Sequence, residues 1–401
     1  MYLTDTHGQA NLPRYFSRVF DLTRGMGRGR LDFVLRDGRT FRAEGREPGP
    51  VAELHLLNDE IFSRLIREGD LGFCEAYLDE WWSTPDLIAF LDLVHANEEM
   101  FDGYPGGGVV RAFERFRFWL QSNSKRQAKK NIAHHYDLGN DFYGLWLDDT
   151  MTYSSALFLT GQESLEKAQE LKYASMIDQM GAQPGDHVLE IGCGWGGFAE
   201  YAAKERGLRV TGLTISEEQY KYAQDRIERA GLSDRVEFKL QDYRDEKGIY
   251  DGVASIEMFE AVGEKYWPTY FNAVKARLKP GKTATLQIIT VQHKRWEIYR
   301  KGVDFIQKYI FPGGMLPSPV VLRQEVERAG LQVVRSFEFG ESYSQTLRRW
   351  HETFNARWDE VADHGFDDRF RRMWNFYLAS CAATFHSGNC DVTQITIAKP
   401  A

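Results

Sequence analysis

The chain is expected to fold as an α/β protein: a doubly wound, mostly parallel sheet with a smaller α+β domain before it. Three observations carry that expectation. From residue 185 onward, short apolar runs alternate with helical stretches at the spacing of βαβ units. A turn holding Gly192, Gly194, Gly196 and Gly197 follows the first of those runs and opens a helical stretch. Residues 31–56 carry a different signature, two alternating runs around Asp37-Gly38 that read as a hairpin.

Taken in order, residues 1–120 form the smaller domain. The hairpin "LDFVLRDGRTFRA" opens it, helical patterns run from about Asp59 to Leu93, and the glycine-rich "GYPGGG" (103–108) closes it. Residues 111–130 carry seven Lys/Arg against one acid, Glu114, with Phe113, Phe116, Phe118 and Trp119 at roughly helical spacing. Such a segment can lie on an anionic membrane or serve as a solvated linker helix. Residues 121–401 form the larger domain. Its strands are "HVLEIG", "LRVTGLTI", "RVEFKL", "GVASIEM" and "TATLQIITV", with helices beginning near Gly196, Glu217 and Lys265. In such sheets a ligand binds beyond the carboxyl ends of the strands, here at Gly192, Thr214, Asp242 and Glu257.

Composition narrows the partners. The 401 residues are 43% hydrophobic, enough for two cores, and the net charge of −8 argues against nucleic acid. No apolar run approaches the roughly 20 residues that span a bilayer, and the first residues lack a secretory pattern. Cys74, Cys193, Cys381 and Cys390 are scattered without a CxxC pair, and the adjacent His134 and His135 chelate poorly together, so no metal is expected. These features fit a cytoplasmic protein.

The glycine turn discriminates between ligands. A dinucleotide site wants an acid about 20 residues beyond the glycines, for the ribose. Here Glu190 stands two residues before Gly192, where it would repel a pyrophosphate but attract a cationic amino group. The next strand ends in Thr214, Ser216 and Gln219, and the third in "LQDYRD", with Asp242 placed to accept from an adenine amino group beside Tyr243. S-adenosylmethionine fits this set.

These residues sit within a longer likeness. "HHYDLGNDFYGLWLDDTMTYSSALF" (134–158), "LEIGCGWGG", "GLTISEEQ", "LQDYRD", "EMFEAVG" (257–263), "YIFPGGMLPS" (309–318) and "SYSQTLRRWHETF" (342–354) resemble the cyclopropane-fatty-acyl-phospholipid synthases. They are similar also to the mycolic acid cyclopropane synthases. The resemblance implies a class I methyltransferase (Rossmann-like) domain behind an N-terminal lipid-binding region, peripheral attachment to the inner face of the membrane, and unsaturated phospholipid acyl chains as substrate. It adds Tyr153, Ser154 and Gln241 to the cofactor set. A homodimer stays open.

Methylating an alkene leaves a carbocation, so the site must exclude water and place a base near the new methyl. Aromatic faces suited to the cation are Tyr136, Phe259, Tyr309 and Phe311. The resemblance implies a bicarbonate ion as base, held at positions that here are Ser155, Glu260, Gln287, Ile289 and Tyr343. Two of these depart from the family: Ser155 replaces a Cys and Gln287 a His, while Ala261 follows the Glu where a His is frequent. Gln287 donates but stays neutral, so the ion is expected to bind more weakly. A methylene or methyl-branched product is the alternative to a ring. A soluble small-molecule methyltransferase and a non-catalytic lipid-binding protein are the competing readings. Docking would be local, through 111–130 or through "NLPRYFSRVFDLTRGMGRGR", where Phe16, Val19, Phe20 and Leu22 interleave with five arginines.

Overall fold

The computed structural model describes residues 2–101, 127 and 138–401. The 111–130 segment apart from Gln127, the "GYPGGG" stretch, His134, His135 and Tyr136 lie outside the described residues.

A first sheet holds β1 (Tyr2–Leu3), β2 (Arg28–Val34), β3 (Thr40–Glu44), β4 (Glu47–Leu56) and β5 (Trp82–Ser83), in the order β1-β3-β2-β4-β5. β2 and β3 pair antiparallel with Val34 opposite Thr40, which is the expected hairpin. The Phe16–Thr23 helix lays its apolar side on this sheet. The Phe16 ring lies 4.9 Å from Phe41 and 5.6 Å from Phe33. Phe16, Val19 and Phe20 are therefore core, so these residues of the expected docking segment are not available to a membrane. Their arginine neighbours Arg14, Arg18, Arg24 and Arg28 face solvent.

The second sheet holds β6 (His187–Ile191), β7 (Arg209–Thr214), β8 (Val236–Leu240), β9 (Tyr250–Ile256), β10 (Leu278–Val291), β11 (Gln332–Glu338) and β12 (Cys390–Ala398). Their order is β11-β12-β10-β9-β6-β7-β8. β6 to β10 run parallel, and β12 pairs antiparallel with both β10 and β11. This is the class I methyltransferase fold. Four of the five residues of β6 are buried, as expected of a strand covered on both faces. Strand order reverses between β6 and β9, so the glycine turn after β6 stands at the switch point where such sheets bind ligands. β11 and β12 fall outside the sequence expectation. Most of β11 is exposed, and its "QVVRSFE" lacks an apolar alternation.

The two sheets share one continuous core, running from Phe16 through Trp146 and Tyr343 to Val392. The Asp368–His386 helix ties them together. Its Arg372 donates to the carbonyls of Tyr77 (2.6 Å) and Trp82 (2.7 Å), the latter in β5. No helix among the described residues is long and apolar enough to cross a membrane.

Candidate active site

The glycine turn builds the cofactor end. Gly192 has φ 83°, and a Cβ there would come within 2.7 Å of Met258, so a side chain would close the approach. Gly196 (φ 85°) caps the Gly197–Arg206 helix. A Cβ on it would press on Phe238 and Ala223, so it shapes the turn from behind and does not face the cavity. Ser216 caps the Glu217–Arg229 helix by accepting from the Gln219 N–H, and Thr214 donates to Gln219 at 3.0 Å.

Around this turn lies a cavity of about 1550 Å³. Tyr153, Ser154, Glu190, Gly192, Gly194, Thr214, Gln219, Gln241, Asp242 and Tyr243 all line it. Glu190 is 2% exposed, and its Oε2 has no hydrogen-bond partner among the described residues. Burial holds its carboxyl well above the usual range, with buried Lys172 opposing. An unpaired acid oxygen facing this cavity fits the amino group of a methionine moiety, and the glycine cradle fits the ligand's close approach. Asp242 lines the cavity, but its carboxylate is forked onto Arg244 at 2.7 and 2.6 Å, so an adenine amino group bound there would share it.

Part of the cavity wall is apolar. Phe33, Leu54, Phe62, Leu65, Phe73 and Phe90 reach it from the first sheet and its helices. Phe311 lines it, as do Tyr343 and Ile289. Phe259 does not; it stacks on Trp267 at 5.4 Å within the core. Tyr309 also stays outside the wall, donating to Glu75 at 2.7 Å.

A cluster of carboxylates also lines the cavity. Glu260 accepts from the Ile289 N–H at 2.6 Å, and its Oε2 has no partner among the described residues. The segment after Phe311 fixes its backbone, since the Met315 N–H donates to the Glu260 carbonyl at 2.9 Å. Burial, then neighbouring Glu257, pushes Glu260 up to about 8.

Glu257, expected only as a strand end near the ligand, stands at the centre of this cluster. Its Oε1 accepts from the Ser155 N–H and from Gln287 Nε2, both at 2.8 Å. Its Oε2 accepts from Tyr343 O–H at 2.7 Å. Gln394 donates in turn to Gln287 Oε1 at 3.1 Å, which fixes which end of the Gln287 amide faces Glu257. Ser155 and Gln287 are wholly buried behind Glu257 and do not line the cavity. The expected bicarbonate ion does not fit this arrangement. Three of its five expected holders already hold a carboxylate, and a further anion would stand against two buried acids. The spacing in "EMFE", acids at 257 and 260, was the signal that could have drawn attention to it.

Buried Lys172 completes the cluster, donating to Ser154 Oγ at 2.7 Å. Burial lowers its ammonium to about 7, while Glu257, Asp148 and Glu190 oppose the shift. With more acids than bases, the site favours a positively charged ligand or intermediate.

The family described as mycolic acid cyclopropane synthetase matches residues 123–395. A tuberculostearic acid methyltransferase, UfaA1, of Mycobacterium tuberculosis is 40% identical over 390 residues, covering 92% of this chain and 88% of that protein. The cyclopropane-fatty-acyl-phospholipid synthase of Escherichia coli K12 is 38% identical, covering 87% and 88%. Among solved structures, mycolic acid cyclopropane synthase CmaA1 complexed with SAH and CTAB superposes with a TM-score of 0.64 at 30% identity, over 68% of this chain and 98% of that one. S-adenosylmethionine is thus the methyl donor, and the chain belongs to the mycolic acid cyclopropane synthetase family of S-adenosylmethionine-dependent methyltransferases.

Proposed function

We propose that the enzyme methylates the double bond of an unsaturated fatty acyl chain in a membrane phospholipid. Loss of a proton from the added methyl then closes a cyclopropane ring. The observation that carries this reading is the single cavity joining the Glu190 end of the cofactor site to the apolar wall of the first sheet. A small polar substrate would have no use for that wall. The relatives named for tuberculostearic acid and for fatty-acyl phospholipid support an acyl chain.

Bound S-adenosylmethionine supplies an electrophilic methyl on a sulfonium. The chain's residues do the rest. Glu190 and the turn at Gly192 and Gly194 hold the methionine end, with Thr214, Gln219 and Gln241 alongside and Asp242 and Tyr243 at the adenine. The apolar wall, with Phe311, keeps water from the cationic carbon. The buried carboxylates offset its charge.

A second reading, a methylene or methyl-branched chain, has its own observation: Gln287 and Ser155 are spent on Glu257. One experiment separates them. The purified enzyme is given S-adenosylmethionine and vesicles of an unsaturated phospholipid, and the acyl chains are analysed by mass spectrometry and proton NMR. A chain one CH2 heavier with upfield ring protons is expected. The same mass with olefinic protons retained selects the second reading. No mass change with any unsaturated phospholipid overturns both.

A further inference from the structure

We infer that the Glu257 carboxylate is the proton acceptor of this reaction, a base carried by the chain itself in place of a bound ion. The inference rests on the methyl-transfer reading above and holds for either product.

The position is costly to build. Glu257 has φ 49°, in the left-handed region that disfavours any residue with a Cβ. The turn throws its side chain into a pocket of donors, where the Ser155 N–H, Gln287 Nε2 and Tyr343 O–H converge on it. Strain held in place at a lined cavity points to use of the side chain.

The two neighbouring acids divide the roles. Glu257 has three donors and the Lys172 charge to favour its anion, whereas Glu260 has the Ile289 N–H and its own backbone. Like charges this close do not both ionise readily, so the shared proton rests on Glu260 and Glu257 stays a carboxylate. Burial raises the basicity of that carboxylate above an ordinary one. Its Oε2 accepts a single hydrogen bond, from Tyr343, and keeps a lone pair for a proton.

The step balances as follows. The alkene π pair forms the new C–C bond to the methyl, the C–S pair stays on sulfur, and the adjacent chain carbon is left cationic. Glu257 Oε2 takes one proton from the added methyl, and the released C–H pair bonds to the cationic carbon. If a hydride first shifts between the two chain carbons, the same proton loss gives a methylene branch on the open chain. The carboxylic acid returns its proton to water once product leaves.

The test uses turnover in carbonate-free buffer under argon, with and without added sodium bicarbonate. For the wild-type enzyme, turnover is expected to be the same within twofold in both. E257Q is expected to lose at least 100-fold in turnover, the low end of about 10²–10⁴ for a general base. Its cofactor affinity, read by calorimetry, is expected to stay within threefold. E257G, which relaxes the backbone at φ 49° and empties the donor pocket, is expected to regain at least tenfold with millimolar bicarbonate. Stimulation of the wild-type enzyme by bicarbonate, or E257Q within twofold of wild type, overturns the inference while leaving methyl transfer intact. Absence of any wild-type turnover overturns the functional reading instead. The wild-type arm needs no variant to fold.

Discussion

Glu190, buried, and Glu260, half-buried, each have a buried carboxyl oxygen with no partner among the described residues, and chemistry separates them. Glu190 is matched to a cationic ligand, so Glu190→Gln is expected to weaken S-adenosylmethionine about 10- to 100-fold by calorimetry, the worth of one charge-assisted hydrogen bond. The same variant should be at least as stable in thermal melts, because the free protein no longer buries an unpaired acid. Glu260 titrates at about 8 when folded, above its ordinary value of 4.5. The folded state therefore holds this proton more tightly, so its contribution to stability is complete below 4.5 and is lost as pH rises through about 8. Urea midpoints of the wild-type protein should fall between pH 5 and 8 relative to Glu260→Gln, which lacks the proton. Lys172, lowered to about 7 by burial, gives the opposite slope from about 10.5 down to 7, and both proteins share it. Glu190 was singled out by its place before the glycines, and Glu260 and Tyr343 by the family resemblance; all three line the cavity. For Glu257 a strand end was expected, and only the left-handed turn of its backbone swings the carboxylate onto Ser155, Gln287 and Tyr343.

Among the elements, the five parallel strands of the second sheet were legible: four are interior and read as apolar runs, and β8, at one edge, keeps a clear alternation. The antiparallel strands β11 and β12 were not, and β11 shows why: with most of its residues exposed, nothing in its pattern demands a face. The Phe16–Thr23 helix shows the converse. Its apolar stripe and arginines fit a membrane-surface helix as well as a core helix, and only the aromatic partners Phe33, Phe41 and Phe62 decide. At the glycine turn the demand is steric. Gly192→Ala places a Cβ 2.7 Å from Met258 at φ 83°. It is expected to cost about 1–3 kcal/mol of stability and to reduce cofactor binding, read by thermal melts with and without S-adenosylmethionine.

At the scale of the whole molecule, residues of the two sheets and their helices meet in one core and line one cavity. We propose that membrane attachment rests on the exposed arginines around Arg14–Arg28, since Phe16, Val19, Phe20 and Met26 between them are buried. Co-sedimentation with vesicles rich in anionic phospholipid is expected at low salt and should weaken several-fold from 50 to 300 mM NaCl. Binding that ignores salt would point to apolar insertion from elsewhere in the chain.

The shared wall of that cavity has a chemical meaning as well as a structural one. Phe33, Phe62 and Phe90 belong to the first hundred residues, while Glu257 and Glu260 stand more than 150 positions further on. Under the proposed reading, a lipid cation there would be shielded by both parts of the chain at once. Water admitted between them would trap it, and the acyl chain would leave as a methyl-branched alcohol.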